Sequence, residues 1–528
     1  RTRADAELVL LAYEAWGKEC LTNIDGDFAL VIWDARRKQA FCARDRMGNK
    51  PFLYHWDGKT LTFTSELHAV LGLPWVEQKF NVGMLAEFLG AEWLSRDETF
   101  WQGILRLEAA HCMEVGKFGP SLTKYWAPDV WMTLPYIKDE DYVEHYRALF
   151  ADVVRRMSRS HLPLACEVSG GLDSSAIFAM AVHLCRRNEL PAPGTEGYTL
   201  NFRGVPDADE LEYCKAVAKH LGRNIQEIPP TKAPLSWYRD WARRYGEFPG
   251  YPNGIMSLGI REKASADGSR VLLVGVGGDE WVDGSQTYFA EALAAGRWGE
   301  LYQCIETDFR EVGIQNTVTW FLRAGIFPLL PNQIRAALRK ILTRGKIHGV
   351  DREAWLTPAM RHLIHERRAR YTAAHPEQIK RVGQRGQLNM LAGAYSIFAR
   401  ETEERLCSHA GLELRRPFWD PRIVQFSFVT PERLRLRGRT TKTLHRTAMI
   451  GLLPEKVLMR ETKADFMIAF RQYMPEMKET LTRNIPARHP EWILTKGVVD
   501  LYEQSGKLEY SGWPEWMMWS LFGCDALL

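Results

Sequence analysis

No stretch of this 528-residue chain is long and apolar enough to cross a bilayer. The greasiest segment, Val318 to Pro331, is interrupted by Arg323, Gly325 and Pro328, which excludes a transmembrane helix. No signal peptide is visible. Charge of one sign is scarce as well. With 69 basic and 65 acidic side chains the net charge is +4, too little on this length to argue for nucleic acid as a partner. The nine cysteines are odd in number and contain no CxxC pair. That argues against a disulfide framework or zinc site and for a reducing, cytoplasmic setting. The Walker signature GxxxxGKS/T is absent. There is no internal repeat and no low-complexity segment, and the chain starts at Arg1 without a methionine.

What is present is ordinary globular composition, 46% apolar and 25% charged, on a length that suits two or three domains. The informative stretch is Leu162 to Arg186. Leu164 to Val168 is a short apolar run, Ser169-Gly170-Gly171 follows, and Asp173-Ser174-Ser175 opens a run with Ile177, Phe178, Met180, Ala181 and Leu184 at helical spacing. The pattern predicts strand, tight turn, helix. Two glycines allow a sharp turn and leave backbone N–H groups uncovered. With the positive end of the next helix these donors make an anion site. Ser169, Ser174 and Ser175 can add hydroxyl donors. Asp173 would repel a phosphate unless a cation lay between them, so its presence implies Mg²⁺.

Residues 1–126 read as mostly β, with hairpins at Asp34-Ala35-Arg36-Arg37 and at Asp57-Gly58. Residues 127–138 read as a linker, and Asp139 or Asp141 as the cap of a helix with Val143, Tyr146, Phe150, Val153, Val154 and Met157 on one face. From Pro163 strands and helices alternate, which predicts a parallel sheet with its ligand edge at the carboxyl ends of the strands. One of these strands ends at Leu200-Asn201. Another, Arg270 to Val274, ends in a second glycine-rich turn, Gly275-Val276-Gly277-Gly278-Asp279-Glu280. Asp173 and Asp279 at neighbouring strand ends would hold Mg²⁺ against triphosphate oxygens. Beyond Gly284 the pattern is mostly helical. A basic run, Arg335, Arg339, Lys340, Arg344 and Lys346, follows Trp320, Phe321 and Phe327. It reads as a solvated helix face, or as a contact for an acidic substrate, partner or membrane surface. Late in the chain come Gly411-Leu412-Glu413-Leu414-Arg415-Arg416-Pro417-Phe418-Trp419-Asp420, then Lys442, Arg446, Arg460 and Lys463, each by itself a surface cation.

Ser-Gly-Gly-Leu-Asp-Ser-Ser resembles the pyrophosphate loop of the ATP pyrophosphatases. Together with Gly275–Glu280, Gly411–Asp420 and Leu453–Phe466 in that order, it resembles the asparagine synthetase superfamily along nearly the whole chain. Leu21–Ala29, Ala43–Pro51 and Thr64–Leu67 resemble the class II glutamine amidotransferase domain. The resemblance implies an α/β and α+β architecture. Residues 1–126 would form a β-rich amidotransferase-like sandwich lacking its first part. Residues 139–528 would form an ATP-pyrophosphatase domain with a twisted parallel sheet flanked by helices and a helical insertion at about 285–400.

It further implies an ATP- and Mg²⁺-dependent ligase that adenylates a carboxylate and lets an amine displace AMP. Carried over by position, Ser169, Gly170, Gly171, Asp173, Ser174 and Ser175 hold the pyrophosphate end of ATP, and Leu200 or Asn201, with Gly275, lies near the adenine. Asp173 and Asp279 bind the metal, and Lys463 stabilises adenylation and amide formation. A lysine suits that role because it stays cationic, with a reference pKa of about 10.4.

Three departures matter. No N-terminal cysteine is present, although Asp5 matches an aspartate that holds glutamine. Val276 stands where asparagine synthetases carry a substrate-contacting glutamate. The stretch from Gly284 to about Arg400 is longer than in an ordinary asparagine synthetase and is expected to roof a larger pocket. These place macrolactam formation on a peptide, as in lasso-peptide cyclases with their precursor peptide and processing protease, ahead of glutamine-dependent asparagine synthesis. An inactive nucleotide-binding scaffold is the third reading. The expected substrate is an amino acid or peptide, the expected assembly a homodimer.

Overall fold

The computed structural model describes residues 4–331, 333–335, 337–338, 346–347, 350–372, 379–507 and 512–528. Of the basic run, Arg339, Lys340 and Arg344 lie outside the described residues, as do Thr2 and Arg3.

The N-terminal part opens with helix α1 (Asp5–Trp16) and then builds two antiparallel sheets. Strands β1 (Ala29–Asp34), β2 (Gln39–Arg44), β3 (Leu53–Trp56), β4 (Leu61–Thr64), β5 (Ile104–Arg106), β6 (His111–Gly116) and β7 (Gly119–Lys124) pair in the orders β1-β2-β6-β7 and β4-β3-β5. Cys42, Met113 and Val115 of the first sheet pack on Phe52 and Tyr54 of the second, which makes a sandwich. Tyr13 of α1 covers the outer face at Phe41. Helix α2 (Val82–Leu89) is buried on nearly all sides, more helix than the alternating pattern predicts.

Residues 125–138 contain no helix or strand. Helix α3 (Asp139–Met157) follows and buries Tyr142, Tyr146, Phe150, Val153 and Val154. Asp139 and Asp141 do not cap it. They lie within its first turn, where they complement the helix dipole, and Asp139 accepts a hydrogen bond from Arg433 at 2.7 Å.

The C-terminal part is built on five parallel strands: β8 (Leu164–Glu167), β9 (Thr195–Leu200), β10 (Ile225–Ile228), β11 (Val271–Leu273) and β12 (Glu413–Arg415), in the order β10-β9-β8-β11-β12. Helices α4 (Leu172–Arg186) and α5 (Leu211–Leu221) carry the chain from β8 out to β10. The chain then returns to lay β11 on the other side of β8. The two strands that end in glycine-rich turns are therefore neighbours, and the strand order reverses between them. In an open α/β sheet that reversal is where a ligand crevice forms. Among the connecting helices, α6 (Leu258–Ala266) packs Ile260 and Ala264 on Leu272 and Val274.

Among the described residues, none from 285 to 400 lines the crevice. Helices α7 (Trp298–Val312) and α8 (Ile314–Trp320) form a satellite core with Tyr288, Phe289, Leu301 and Leu436. Helix α9 (Pro358–Thr372) reaches the N-terminal sandwich, where Arg367 pairs with Glu98 at 3.0 Å and Arg368 with Glu92 at 2.8 Å.

The two parts share a core. Phe88 of α2 packs against Phe248, Tyr251 and Phe398, and Phe248 packs in turn on Trp519 of the last helix. Helix α10 (Ala394–His409) adds a buried ionic seam: Glu401 accepts from Arg44 at 2.8 Å and from Arg106 at 2.7 Å.

Candidate active site

The first turn is held by its own residues. Gly170 has φ +76°, and a Cβ there would meet the backbone of Glu210 and Cys214 and the Cβ of Tyr213, so only glycine fits. Ser174 Oγ accepts from Ser169 N at 3.0 Å and bonds Ser169 Oγ at 2.9 Å; Gly171 N donates to Ser169 Oγ at 3.2 Å. These hydroxyls are engaged in shaping the loop. Ser175 lies one helical step further round and is fully buried, with no place on the cleft wall. Gly170 also lies behind the wall, whereas Ser169, Gly171, Asp173, Ser174, Leu200 and Gly275 line it.

The second turn lies directly on the first. A Cβ at Gly275 would fall 2.8 Å from Ser174 N, and one at Gly278 would collide with the Asp173 carboxyl. Gly277 has φ +105° and starts the short helix that carries Asp279.

Between the turns sits a group that local sequence does not announce. Lys442, 4% exposed, donates from Nζ to Asp173 Oδ2 at 2.5 Å and to Asp279 Oδ1 at 2.6 Å. Lys463 Nζ reaches the same Asp279 oxygen at 2.8 Å from the open side. Burial raises the pKa of Asp173, and its lysine partner only partly offsets this. Burial acts the same way on Asp279, but Lys442 and Lys463 overcome it and hold that carboxyl below its ordinary value. Lys442 is raised, the two carboxylates outweighing its burial. Behind Asp173, fully buried His445 is bonded through Nδ1 to Tyr146 at 2.8 Å. Burial holds it neutral, well below the usual imidazole range.

Asp173 Oδ1 is buried and has no hydrogen-bond donor among the described residues. Mg²⁺ is commonly held by one or two carboxylates with phosphate oxygens completing its shell. Asp173 Oδ1 lies 3.9 Å from the buried His445 Nε2; the part that fits this donor set is the pair of carboxylates, Asp173 and Asp279, that share Lys442 on the cleft wall. Among the described residues no group of three or more His, Cys, Asp or Glu side chains is arranged as a metal cage.

The crevice encloses about 470 Å³, in the usual range for a small-molecule site. Its wall is divided by chemistry. Leu200, Phe202, Met256, Val274 and Phe466 form an apolar part. Lys442, Arg446, Arg460 and Lys463 gather beside the two turns. Arg460 pairs with Glu210 at 2.6 Å and lies over the Tyr213 ring at 4.1 Å. Glu167, Arg261 and Glu403 also line the cleft. Arg261 is buried and its Nε contacts Cys407 Sγ at 3.1 Å. Burial raises the Glu167 carboxyl, Arg261 lowers it and Glu403 raises it further. Sequence reasoning missed Glu167, Arg261 and Glu403 as cleft residues.

Asp5 is in no such cleft. It sits on the exposed first turn of α1, 3.4 Å from Arg159, both about three-quarters exposed. The thiols of Cys20, Cys42 and Cys112 in the N-terminal part are buried and raised by that burial, Cys42 to about 12. That is the reverse of what a thiolate nucleophile needs.

Comparison with known proteins places this geometry. Residues 145–526 match the asparagine synthase family and residues 1–126 a glutamine amidotransferase domain. The chain belongs to the asparagine synthase family. It is 26% identical to asparagine synthetase (glutamine-hydrolyzing) 3 of Bacillus subtilis over 87% of this chain and 70% of that protein. It is 27% identical to amidase chry2 of Gibberella zeae, over 55% of this chain and 44% of that one. Asparagine synthetase (glutamine-hydrolyzing) 2 of Bacillus subtilis is 30% identical over 55% of this chain and 40% of its own length. The chain thus spans less than half the length of two of these relatives.

Proposed function

We propose that the crevice between β8 and β11 is the adenylation site of an ATP-dependent carbon–nitrogen ligase. The observation that carries this reading is the pair of glycine-rich turns pressed together at adjacent strand ends, with Asp173, Asp279, Lys442 and Lys463 meeting between them. The triphosphate lies on the backbone N–H groups of Ser169–Ser174, its base against Leu200, Phe202, Val274 and Phe466. Asp173 and Asp279 would hold Mg²⁺, which when bound neutralises phosphate charge.

The chemistry follows from the weakness of a carboxylate as an electrophile. A substrate carboxylate oxygen attacks the α-phosphorus, the bond to the bridging oxygen breaks, and pyrophosphate leaves. An amine then attacks the acyl carbon, AMP departs with the C–O electron pair, and the amine proton is lost. Lys463, 72% exposed on the side chain and tethered to Asp279, can swing to the charge that builds in both steps. Glu167 and Glu403, which also line the cleft, suit an incoming ammonium group and its proton.

The substrate reading is an amino acid or peptide that supplies its own amine, with macrolactam closure ahead of glutamine-dependent asparagine synthesis. One observation supports it: Val276 gives the second turn an apolar wall. A reducing cytoplasmic setting fits the nine free cysteines.

The test is ATP–pyrophosphate exchange by the whole chain, screened over free aspartate, free glutamate and acid-bearing peptides. Carboxylate-dependent exchange is expected, with Asp173→Ala and Lys463→Ala reducing it at least about a thousandfold, the scale of losing one preorganised electrostatic group. Exchange at the wild-type rate in either variant, or a nucleotide bound away from the first turn, would refute the assignment.

A further inference from the structure

A second groove, of about 610 Å³, shares no lining residue with the cleft. Its wall includes Asp525 of the last helix, Trp513–Leu527, with a side chain only 3% exposed. Arg239 of helix Leu235–Tyr245 donates from Nη1 to Asp525 Oδ2 at 2.9 Å. Arg488 donates to Asp525 Oδ1 from Nε at 3.0 Å and also from Nη2. His489 Nε2 is 3.7 Å from the same Oδ1. Three stretches distant in sequence thus meet on one carboxylate, where a single cation would have satisfied it.

Charge and preorganisation both point to an anion. Arg243 follows Arg239 by four residues, which puts it on the same helix face, and it lines the groove too. Asp240 reaches Arg243 at 3.5 Å and Glu491 reaches His489 at 3.4 Å, but both carboxylates are more than half exposed, where water screens them. Leu528 lines the groove and forms no ion pair with any of these groups. Cations held together by the fold repel one another unless an anion joins them. These cations are also fixed in place. Arg239 lies 4.8 Å over the Phe522 ring, and His489 stacks on Trp492 at 4.0 Å. Among the described residues Asp525 is the sole acceptor of either guanidinium, so most of the five N–H donors on each stay open. Thr480 and Asn484 add a hydroxyl and an amide from the π-helical turn Thr480–Asn484, a form frequent at functional sites.

Guanidinium forks match the oxygens of phosphate. The donors gather in one groove, and the chain carries a net charge of only +4, which suits a single phosphate group rather than a nucleic acid strand. We propose that this groove binds a phosphate group, free or as the monoester of a small molecule, between Arg239 and Arg488 held by Asp525, with Arg243 as a third cation. The site does not depend on the adenylation reading. Calorimetric titration of the whole chain with inorganic phosphate, and separately with glycerol 3-phosphate, tests it while a non-hydrolysable ATP analogue with Mg²⁺ fills the cleft. The groove variants separate this site from the cleft whatever the cleft binds. Arg488→Gln should weaken binding at least about tenfold, the scale of losing a charged hydrogen-bond donor, and Arg488→Lys should restore only part of it. Arg243→Gln leaves the Asp525 pairs intact and should weaken binding about fivefold, with circular dichroism, phosphate-free melting and pyrophosphate exchange unchanged. Tighter binding of glycerol 3-phosphate identifies an ester as the ligand; tighter binding of inorganic phosphate identifies the free ion. The proposal is overturned if neither compound binds, if Arg243→Gln or Arg488→Gln binds as tightly as the wild type, or if only a single-stranded oligonucleotide binds.

Discussion

Replacing Lys442 with methionine removes one ammonium from between two carboxylates and keeps most of the side-chain volume. Asp279 loses little, because its side chain is 55% exposed and retains Lys463. Asp173 loses the donor to Oδ2, and its Oδ1 already has none. Stranding one partner of a buried ion pair costs about 3–5 kcal/mol. The lower end, about 3 kcal/mol at neutral pH, applies here because Asp173 can escape by taking a proton. Burial already raises Asp173 with the lysine present; without it the carboxyl rises further above its unfolded value of about 3.9. A carboxyl raised on folding contributes stability below the unfolded pKa and costs stability above it. The deficit of Lys442→Met therefore grows as pH climbs from about 4 toward neutrality. Urea denaturation in EDTA, followed by tryptophan fluorescence, measures it, since Trp281 and Trp419 are buried in the same core. The deficit is expected to be about 3 kcal/mol at about pH 7.5 and to fall by at least half at about pH 5. An equal deficit at both values, or none, would refute the reasoning.

Glu401 has the opposite sign. Burial would raise its carboxyl, but Arg106 and Arg44 win and hold it at about 2, so its stabilisation is complete above the unfolded value of about 4.3 and is lost as pH falls toward 2. Glu401→Gln should cost about 3 kcal/mol at neutral pH and flatten the acid limb of the stability profile over that window; an unchanged acid limb would count against the seam. Gly278→Ala places a methyl on the Asp173 carboxyl and should reduce pyrophosphate exchange at least about tenfold without unfolding the chain, as read by exchange rate and circular dichroism. Added glutamine should leave amide formation by this 528-residue chain unchanged, and ammonia release from glutamine should stay at background; stimulation by glutamine would favour the asparagine-synthesis reading.

The two turns were legible because their backbone shapes are encoded by adjacent residues. Glycine at 170 and 277 is required by positive φ, and Gly275 and Gly278 by the close approach of one turn to the other. Alternating strands and helices predicted a parallel sheet, and its reversal between β8 and β11 put both turns at one crevice. Ser175 misled because three successive residues at a helix start fan out by about 100° each: Ser174 closes the loop while Ser175 enters the core. Asp139 misled because a carboxylate near a helix start serves equally as a cap or as an ion-pair partner, and Arg433, 294 residues away, decides between them.

Lys442 was invisible as anything but a surface cation for the same reason. Its partners lie 269 and 163 residues away, and nothing in its neighbours' chemistry distinguishes it from Arg446 or Arg460. The aromatic content of 285–400 was a sound sign that the segment packs, but not of what it packs against: one half builds a satellite core under Leu436, and the other crosses to the sandwich through Arg367 and Arg368. Sites made of local conformation can be read along the chain. A charge balance between distant elements exists only once the fold has chosen which carboxylates face which cations. In the proposed site the local part would position the phosphates, while the non-local part, Lys442 with Asp173 and Asp279, would set the charge they meet.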